Sequence, residues 1–202
     1  MVDRQKVLER RRSPLHRIAD ELAAGSGSAV TLKEIPFFGQ IGVRAVPGSA
    51  TADVLAKGLG ASLPSQAGQV TSLGDRGHAL WLGPDEFLVI LPDEADGGPE
   101  PASLAASLTQ SLGSLPGQVV DLSANRTTLE LRGAAAQQVL DKSCRLDLDE
   151  VAFPVGTAAA TLLGAVGVIL WRVEADTWRV MPRSSFAVHV ARWLLDGMRE
   201  YV

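Results

Sequence analysis

Apolar residues recur with two different periods along this chain, and the shorter period predicts its strands. Over 126–132, Thr127, Leu129 and Leu131 alternate with charged or hydroxyl side chains, which predicts a half-buried strand with one wet face. Shorter or more continuous apolar runs predict the remaining strands within 30–46 (two pieces broken at Ile35-Pro36), 69–73, 78–82, 86–91, 119–121, 157–163, 167–173 and 177–182.

A longer period, with apolar residues at spacings of three, four and seven, predicts the helices. Leu15, Ile18, Ala19 and Leu22 form one such stripe behind a start at Ser13-Pro14, where serine is expected to cap the helix and proline to occupy its first turn. The last helix is expected to turn four apolar residues inward. Helices are thus predicted at 13–22, 49–59, 102–112, 134–141 and 184–199, the last with Phe186, Val190, Trp193 and Leu194 buried.

The order of these elements predicts an α+β fold with mostly antiparallel sheets, helices packed on them and two βαβ-rich halves. Pro92 to Pro101 lacks apolar residues other than alanine and is typical of a linker. We therefore divide the chain into a basic N-terminal arm and helix, a first α+β half, a linker with a connecting helix, and a second α+β half, at 1–29, 30–91, 92–117 and 118–202.

Composition excludes several classes of function. The 202 residues carry a formal net charge of −4, whereas binding of nucleic acid requires a basic surface. The apolar runs are shorter than the roughly 20 residues that span a bilayer. The single cysteine is inconsistent with an internal disulfide and fits a reducing compartment. We therefore expect a cytoplasmic protein that binds neither nucleic acid nor a membrane.

Positive charge is concentrated at the N-terminus, where six basic residues stand against Asp3 and Glu9 within the first 17 positions. Two interpretations stay open: a solvated tail, or an arm that lies on an acidic partner. Under the second interpretation the contact residues are predicted to be Arg10, Arg11, Arg12, Pro14 and Leu15, joined by Arg183 between the last strand and the last helix.

Asp121 and Ser123 end a predicted strand and are candidates for a hydrolase triad. Such a triad also needs a positioned base, and His16, His78 and His189 stand isolated in the sequence. We therefore predict that Asp121 and Ser123 accept backbone hydrogen bonds at the strand end.

Three further groups of residues are predicted to be structural. Cys144 stands between Lys142 and Arg145, which could activate a thiol, but a small buried residue is the commoner role. The acidic Gly83-Pro84-Asp85-Glu86 is explained by a tight turn, and the cluster at 147–150 lacks a turn-forming glycine for a metal loop. The sequence therefore predicts no catalytic, cofactor-binding or metal-binding residue.

Several segments in order resemble the gamma-subunit family of bacterial heterotetrameric sarcosine oxidase. They are RRSPL (11–15), LWLGPDEFLVIL (80–91), VVDLSANRTTLELRGAAAQQVLDKSCRLDL (119–148) and FPVGTAAATLLGAVGVILWRVEADTWRVMPRSSFAVHVARWLLDG (153–197). The family is itself similar to the tetrahydrofolate-binding aminomethyltransferase (glycine-cleavage T-protein) fold. Active members of that wider group carry a catalytic Asp on a later strand, whereas the corresponding 165–170 here has no carboxylate.

This resemblance implies a non-catalytic gamma subunit that scaffolds a flavin-dependent complex. Such a complex oxidises sarcosine to glycine, forms peroxide and passes a one-carbon unit to tetrahydrofolate. The implied partners are alpha, beta and delta subunits, which would hold FAD, FMN, NAD, tetrahydrofolate and zinc, with none in this chain. Two alternatives remain: a stand-alone folate-binding protein, although 142–145 lacks the Lys-Gly-Cys-Tyr motif of one such type, and an independent enzyme using Cys144 or Asp121.

Overall fold

The computed structural model describes residues 4–201, which form six α-helices, three short 3₁₀ helices and ten strands. The helices are α1 (Arg4–Glu9), α2 (Ala19–Ala24), α3 (Ala50–Leu59), α4 (Pro101–Leu112), α5 (Ala136–Asp141) and α6 (Ala187–Met198), with 3₁₀ turns at His16–Ile18, Glu94–Asp96 and Ser184–Phe186. The strands are β1 (Thr31–Ile35), β2 (Gly39–Arg44), β3 (Val70–Ser72), β4 (His78–Gly83), β5 (Glu86–Leu91), β6 (Gln118–Asp121), β7 (Thr128–Arg132), β8 (Ala158–Leu163), β9 (Val166–Glu174) and β10 (Thr177–Pro182).

The strands form two antiparallel five-stranded sheets. One sheet, which we call sheet A, has the order β1-β7-β10-β9-β8, and the other, sheet B, has the order β3-β4-β5-β2-β6. Each half of the chain contributes two strands, a helix, a three-strand meander and a second helix. The first strand of each half joins the other half's sheet: β1 pairs with β7, and β6 pairs with β2. Each sheet is therefore built from four strands of one half and one of the other.

Period-two alternation places the cores on both faces of each sheet. Phe87, Val89 and Leu91 of β5 pack under α3 and α4, while the intervening Leu88 and Ile90 face sheet A. Sheet A likewise covers α2, α5 and α6 with one face and meets sheet B with the other. The result is four layers: helices, sheet, sheet, helices. The predicted α+β class with antiparallel sheets is confirmed.

The second sheet changes the environment of the predicted wet strand. In β7, Thr128 is 1% exposed and Glu130 is 9% exposed, so the middle of the face expected to meet water is buried, while Arg132 at its end is exposed. Glu130 is accommodated because its carboxylate pairs with Lys33 at 3.0 Å and lies opposite Arg179 of β10. The prediction of a wet face at 126–132 is therefore wrong for Thr128 and Glu130, because alternation of polar residues does not reveal a covering layer.

Two helix predictions are corrected by side-chain contacts. Ser13 does not cap its helix: its hydroxyl donates to Glu34 Oε2 at 2.6 Å, and the helical segment starts as a 3₁₀ turn at His16. In the last helical segment Phe186 and Trp193 are each 48% exposed, whereas Val190 and Leu194 are buried as predicted. The inward face of α6 is narrower than the apolar pattern indicated.

Candidate functional site

Asp121 and Ser123 organise the end of β6 through local hydrogen bonds. Asp121 Oδ1 accepts from the Ser123 amide at 2.9 Å and from its hydroxyl at 2.6 Å, and Ser123 Oγ accepts from the Gln40 amide at 3.1 Å. These bonds tie the end of β6 to the start of β2, as expected of side chains at a strand end. Both residues thus accept backbone hydrogen bonds, as the sequence predicted.

Acidic side chains of the loops at 83–86 and 147–150 form ion pairs and local hydrogen bonds. Asp85 and Glu86 both pair with Arg44, at 3.0 and 2.8 Å. Farther along, Asp147 Oδ1 accepts from the amide of Asp149, and Asp149 Oδ1 accepts from the amide of Val151. Within residues 4–201, no group of three or more His, Cys, Asp and Glu side chains could hold a metal ion.

Cys144 and the histidines lie in separate parts of the fold. Cys144 is partly buried and packs against the core under sheet A. His16 Nδ1 lies 2.6 Å from the Ser13 carbonyl oxygen, and the exposed His189 ring lies near Trp193 on α6. The structure therefore does not join these residues into a nucleophile and base pair.

His78 is a partly buried histidine at the start of β4. Its ring packs on the indole of Trp171, with ring centroids 4.8 Å apart. Burial lowers the pKa of His78 below the ordinary value of 6.5, and the charge of Arg179 lowers it further. The folded state therefore favours the neutral imidazole.

We expect the free energy of unfolding to fall as the pH drops below 6.5, because the unfolded chain then binds a proton that the folded His78 resists. A His78→Asn variant should lose this component of the pH dependence, whereas His189→Asn should retain it. Urea unfolding at several pH values between about 7.5 and about 5 measures the difference. An unchanged pH slope in His78→Asn would contradict the assignment.

The basic N-terminal arm lies on the acidic linker of its own chain. Arg4 donates to both carboxylate oxygens of Glu94, at 2.8 and 2.6 Å, and lies 3.0 Å from Glu100. Arg11 pairs with Asp93 at 2.8 Å, and its guanidinium lies 4.2 Å from the centre of the Phe37 ring. The positive charge of the arm was predicted to be solvated or to face a partner. Part of it is instead paired with carboxylates of the same chain.

The six predicted interface residues have different environments. Arg10, Arg12 and Pro14 are exposed, and Arg183 is an exposed side chain that donates to Asn125. Arg11 is partly buried against Asp93 and Phe37. Leu15 is 1% exposed and belongs to the core under sheet A, so it supports the arm from below.

The arm covers a cavity of about 570 Å³ at the junction of the two halves. Its walls come from α1, the turn between β1 and β2, and the connection from β6 to β7, and include Leu8, Arg12, Phe37, Asp121, Ser123 and Arg126. The turn is unusual because Phe37 has φ +62, a left-handed conformation that no other non-glycine residue within 4–201 adopts. A cavity of this volume is within the range of small-molecule sites.

The cavity was not predicted from the sequence, because its residues come from five separate segments. Arg126 was assigned to the wet face of a strand, and Phe37 carried no signal beyond its place after Ile35-Pro36. A strained aromatic residue and a half-buried arginine become informative only once the fold brings them together. The strain at Phe37 is the feature that marks the turn as a place of interest.

None of the helices that the structure describes is both long and apolar enough to cross a lipid bilayer.

Known proteins similar to this chain share one description. The model of the sarcosine oxidase, gamma subunit family matches residues 42–200. A sarcosine oxidase subunit gamma from Arthrobacter sp. is 50% identical over 192 residues, covering 95% of this chain and 91% of that protein. A corresponding protein from Corynebacterium sp. (strain P-1) is 48% identical over the same shares of both chains.

Solved structures agree with this similarity. A chain of the heterotetrameric sarcosine oxidase from Corynebacterium sp. U-96, in complex with pyrrole 2-carboxylate, superposes with a TM-score of 0.86 at 44% identity, covering 95% of this chain and 96% of that one. The glycine cleavage system aminomethyltransferase T from Bartonella henselae shares the fold at 17% identity, with a TM-score of 0.64 over 92% of this chain and 57% of that one. The resemblance found in the sequence is confirmed, and the chain belongs to the sarcosine oxidase gamma subunit family.

Proposed function

We propose that this chain is the non-catalytic gamma subunit of a heterotetrameric sarcosine oxidase and stabilises the assembled complex. The observation that carries the proposal is the match, along nearly the whole length of both chains, to a chain of such a heterotetramer. Agreement at 44% identity and a TM-score of 0.86 extends through both sheets rather than a single motif.

The partners in this proposal are the alpha, beta and delta subunits. The complex would oxidise sarcosine to glycine, form peroxide and pass a one-carbon unit to tetrahydrofolate, in the cytoplasm. FAD, FMN, NAD, tetrahydrofolate and zinc would be held by the partner subunits. In support, the acidic and nucleophilic candidates of this chain, such as Asp121 and Asp149, are engaged in turns and strand ends.

A folate-dependent activity of this chain is not favoured. The segment 165–170 forms the start of β9, where Val168, Ile169 and Leu170 are buried and no carboxylate is present. The catalytic Asp expected at this position in active aminomethyltransferases therefore has no counterpart here.

Co-purification of the tagged full-length chain from its native cells tests the proposed function. We expect larger partners in fixed proportion and a flavin absorption spectrum in the eluate, with sarcosine-dependent peroxide formation. Recovery of the chain alone and colourless would overturn the proposal, and folate titration would then test the stand-alone alternative.

The basic arm is our proposed contact with a larger, acidic subunit. Arg10 and Pro14 supply exposed surface, Arg183 adds a cation at the other end of the chain, and Arg11 and Leu15 hold the arm in place. Arg12 lies beside them on the cavity wall.

The arm contact is tested by charge reversal in the co-purified complex. An Arg10→Glu chain should carry less partner than the wild type, and the loss should shrink as salt is added, because exposed charges are screened. Lys57→Glu, on α3, is the control of equal charge change. Equal partner recovery by both variants would remove the arm from the interface.

A further inference from the structure

Arg126 is a partly buried cation on the wall of the cavity beneath the N-terminal arm. Arg126 is half-buried, and its Nη1 donates to the Met181 carbonyl oxygen at 3.0 Å. Within residues 4–201 no carboxylate forms an ion pair with it, although Arg4 and Arg11 on the same cavity have such pairs. A partly desolvated cation on a cavity wall is stabilised by an anion placed in the cavity.

Neighbouring charges strengthen this preference. Burial lowers the pKa of Arg126 and repulsion by Arg183 lowers it further, whereas the charge of Glu86 acts in the opposite direction. Arg12 lies on the same cavity and likewise makes no ion pair with the residues that the structure describes. A bound anion would offset the desolvation of Arg126 and its repulsion by Arg183.

The rest of the wall is suited to a flat apolar group. Phe37 and Phe38 line the cavity with Leu8 and Pro101, and α1 closes it on the side of the arm. The Phe37 ring is fixed because the Arg11 guanidinium stacks on it and because its backbone is held at φ +62. Rings held in this way offer contact area without a large loss of side-chain entropy on binding.

One acidic side chain limits the ligand to a single negative charge. Asp121 is on the wall, and its Oδ1 accepts two hydrogen bonds from Ser123. Its carboxylate would repel a second anionic group on a ligand whose first is at Arg126. The second carboxylate on the wall, Glu94, is neutralised by Arg4.

We propose that this cavity binds a small aromatic monocarboxylate, with Arg126 and Arg12 contacting the carboxylate and Phe37 and Phe38 the ring. The inference goes beyond the proposed function and does not depend on it, since all the groups belong to this chain. The carboxylate in this proposal belongs to a free small molecule in solution, not to an acidic side chain of a partner subunit.

The test is isothermal titration calorimetry of the full-length chain with 2-naphthoate as the probe. We expect 2-naphthoate to bind at least about tenfold more tightly than the neutral 2-naphthamide and than 2,6-naphthalenedicarboxylate. Arg126→Gln and Arg12→Gln should each weaken binding of 2-naphthoate, the first by about tenfold, and should leave 2-naphthamide unaffected.

Arg17→Gln is the matched control, because Arg17 is an exposed arginine near the arm that is not on the cavity wall. Equal affinity for the acid and the amide, or an unchanged affinity in Arg12→Gln, would overturn the proposal even if Arg126→Gln failed to fold. Binding by the chain alone that disappears in the co-purified complex would overturn the free-ligand assignment and leave the cavity to a partner. Loss of partners with retained binding would instead count only against the proposed subunit function.

Discussion

Replacing Trp178 by alanine is expected to lower the free energy of unfolding by about 3–5 kcal/mol. Trp178 is fully buried on β10, between β7 and β9 in the middle of sheet A. Its ring stacks with Phe153 at a centroid distance of 5.7 Å, and the Arg172 guanidinium lies 5.0 Å from its centre. Removal of the indole leaves a cavity that a central strand cannot close by moving, because both of its neighbours hold it in register.

Trp193→Ala is the matched control for this prediction. Trp193 is 48% exposed on α6, so its removal should cost less than about 1 kcal/mol. Urea unfolding followed by circular dichroism gives both free energies, and similar slopes would show that the unfolded states are comparable. Equal losses in the two variants would contradict the assignment of Trp178 to the core.

Gly77→Ala is expected to lower the free energy of unfolding by about 3 kcal/mol or more, through strain at a position just before β4. Gly77 has φ +119, which residues with a side chain rarely adopt. An added Cβ would lie 1.9 Å from the Ile90 carbonyl oxygen, on the neighbouring strand β5. Because the clash involves backbone atoms, relief requires separating the two strands of the hairpin.

Gly167→Ala separates this strain from the general effect of removing a glycine. Gly167 is exposed on β9, lies outside the left-handed region, and an added Cβ would meet nothing within 4 Å. Its replacement should leave stability unchanged or raise it by about 0.5–1 kcal/mol, because alanine loses less entropy on folding. A loss in Gly167→Ala as large as in Gly77→Ala would refute the role of the close contact.

Local patterns predicted most elements of this fold because they depend on neighbouring residues. The hairpin of β4 and β5 follows from two apolar runs around Pro84-Asp85. The helix predicted at 49–59 is α3, which begins after a capping Ser49 and ends at a left-handed Gly60. The burial of Glu130 could not be predicted, because it depends on Lys33 and Arg179 from other strands.

Within the candidate site, the sequence predicted only the backbone hydrogen bonds of Asp121 and Ser123. The side chains of Asp121 and Ser123 were predicted to accept hydrogen bonds from backbone amides, and the structure shows both bonds. The cavity depends on the acidic linker attracting Arg4 and Arg11, which brings α1 over Phe37. Attraction between opposite charges some 80 to 90 positions apart leaves no periodic signal in a sequence.

The exchange of first strands between the halves has a consequence for synthesis on the ribosome. A nascent chain that ends before β6 has no partner for β1, because β7 has not been made, and β2 presents an unpaired edge. Unpaired edges invite association with other chains. The first half therefore cannot complete its strand pairing as it emerges, and we expect the chain to need chaperone protection until β6 and β7, which end by residue 132, have left the exit tunnel.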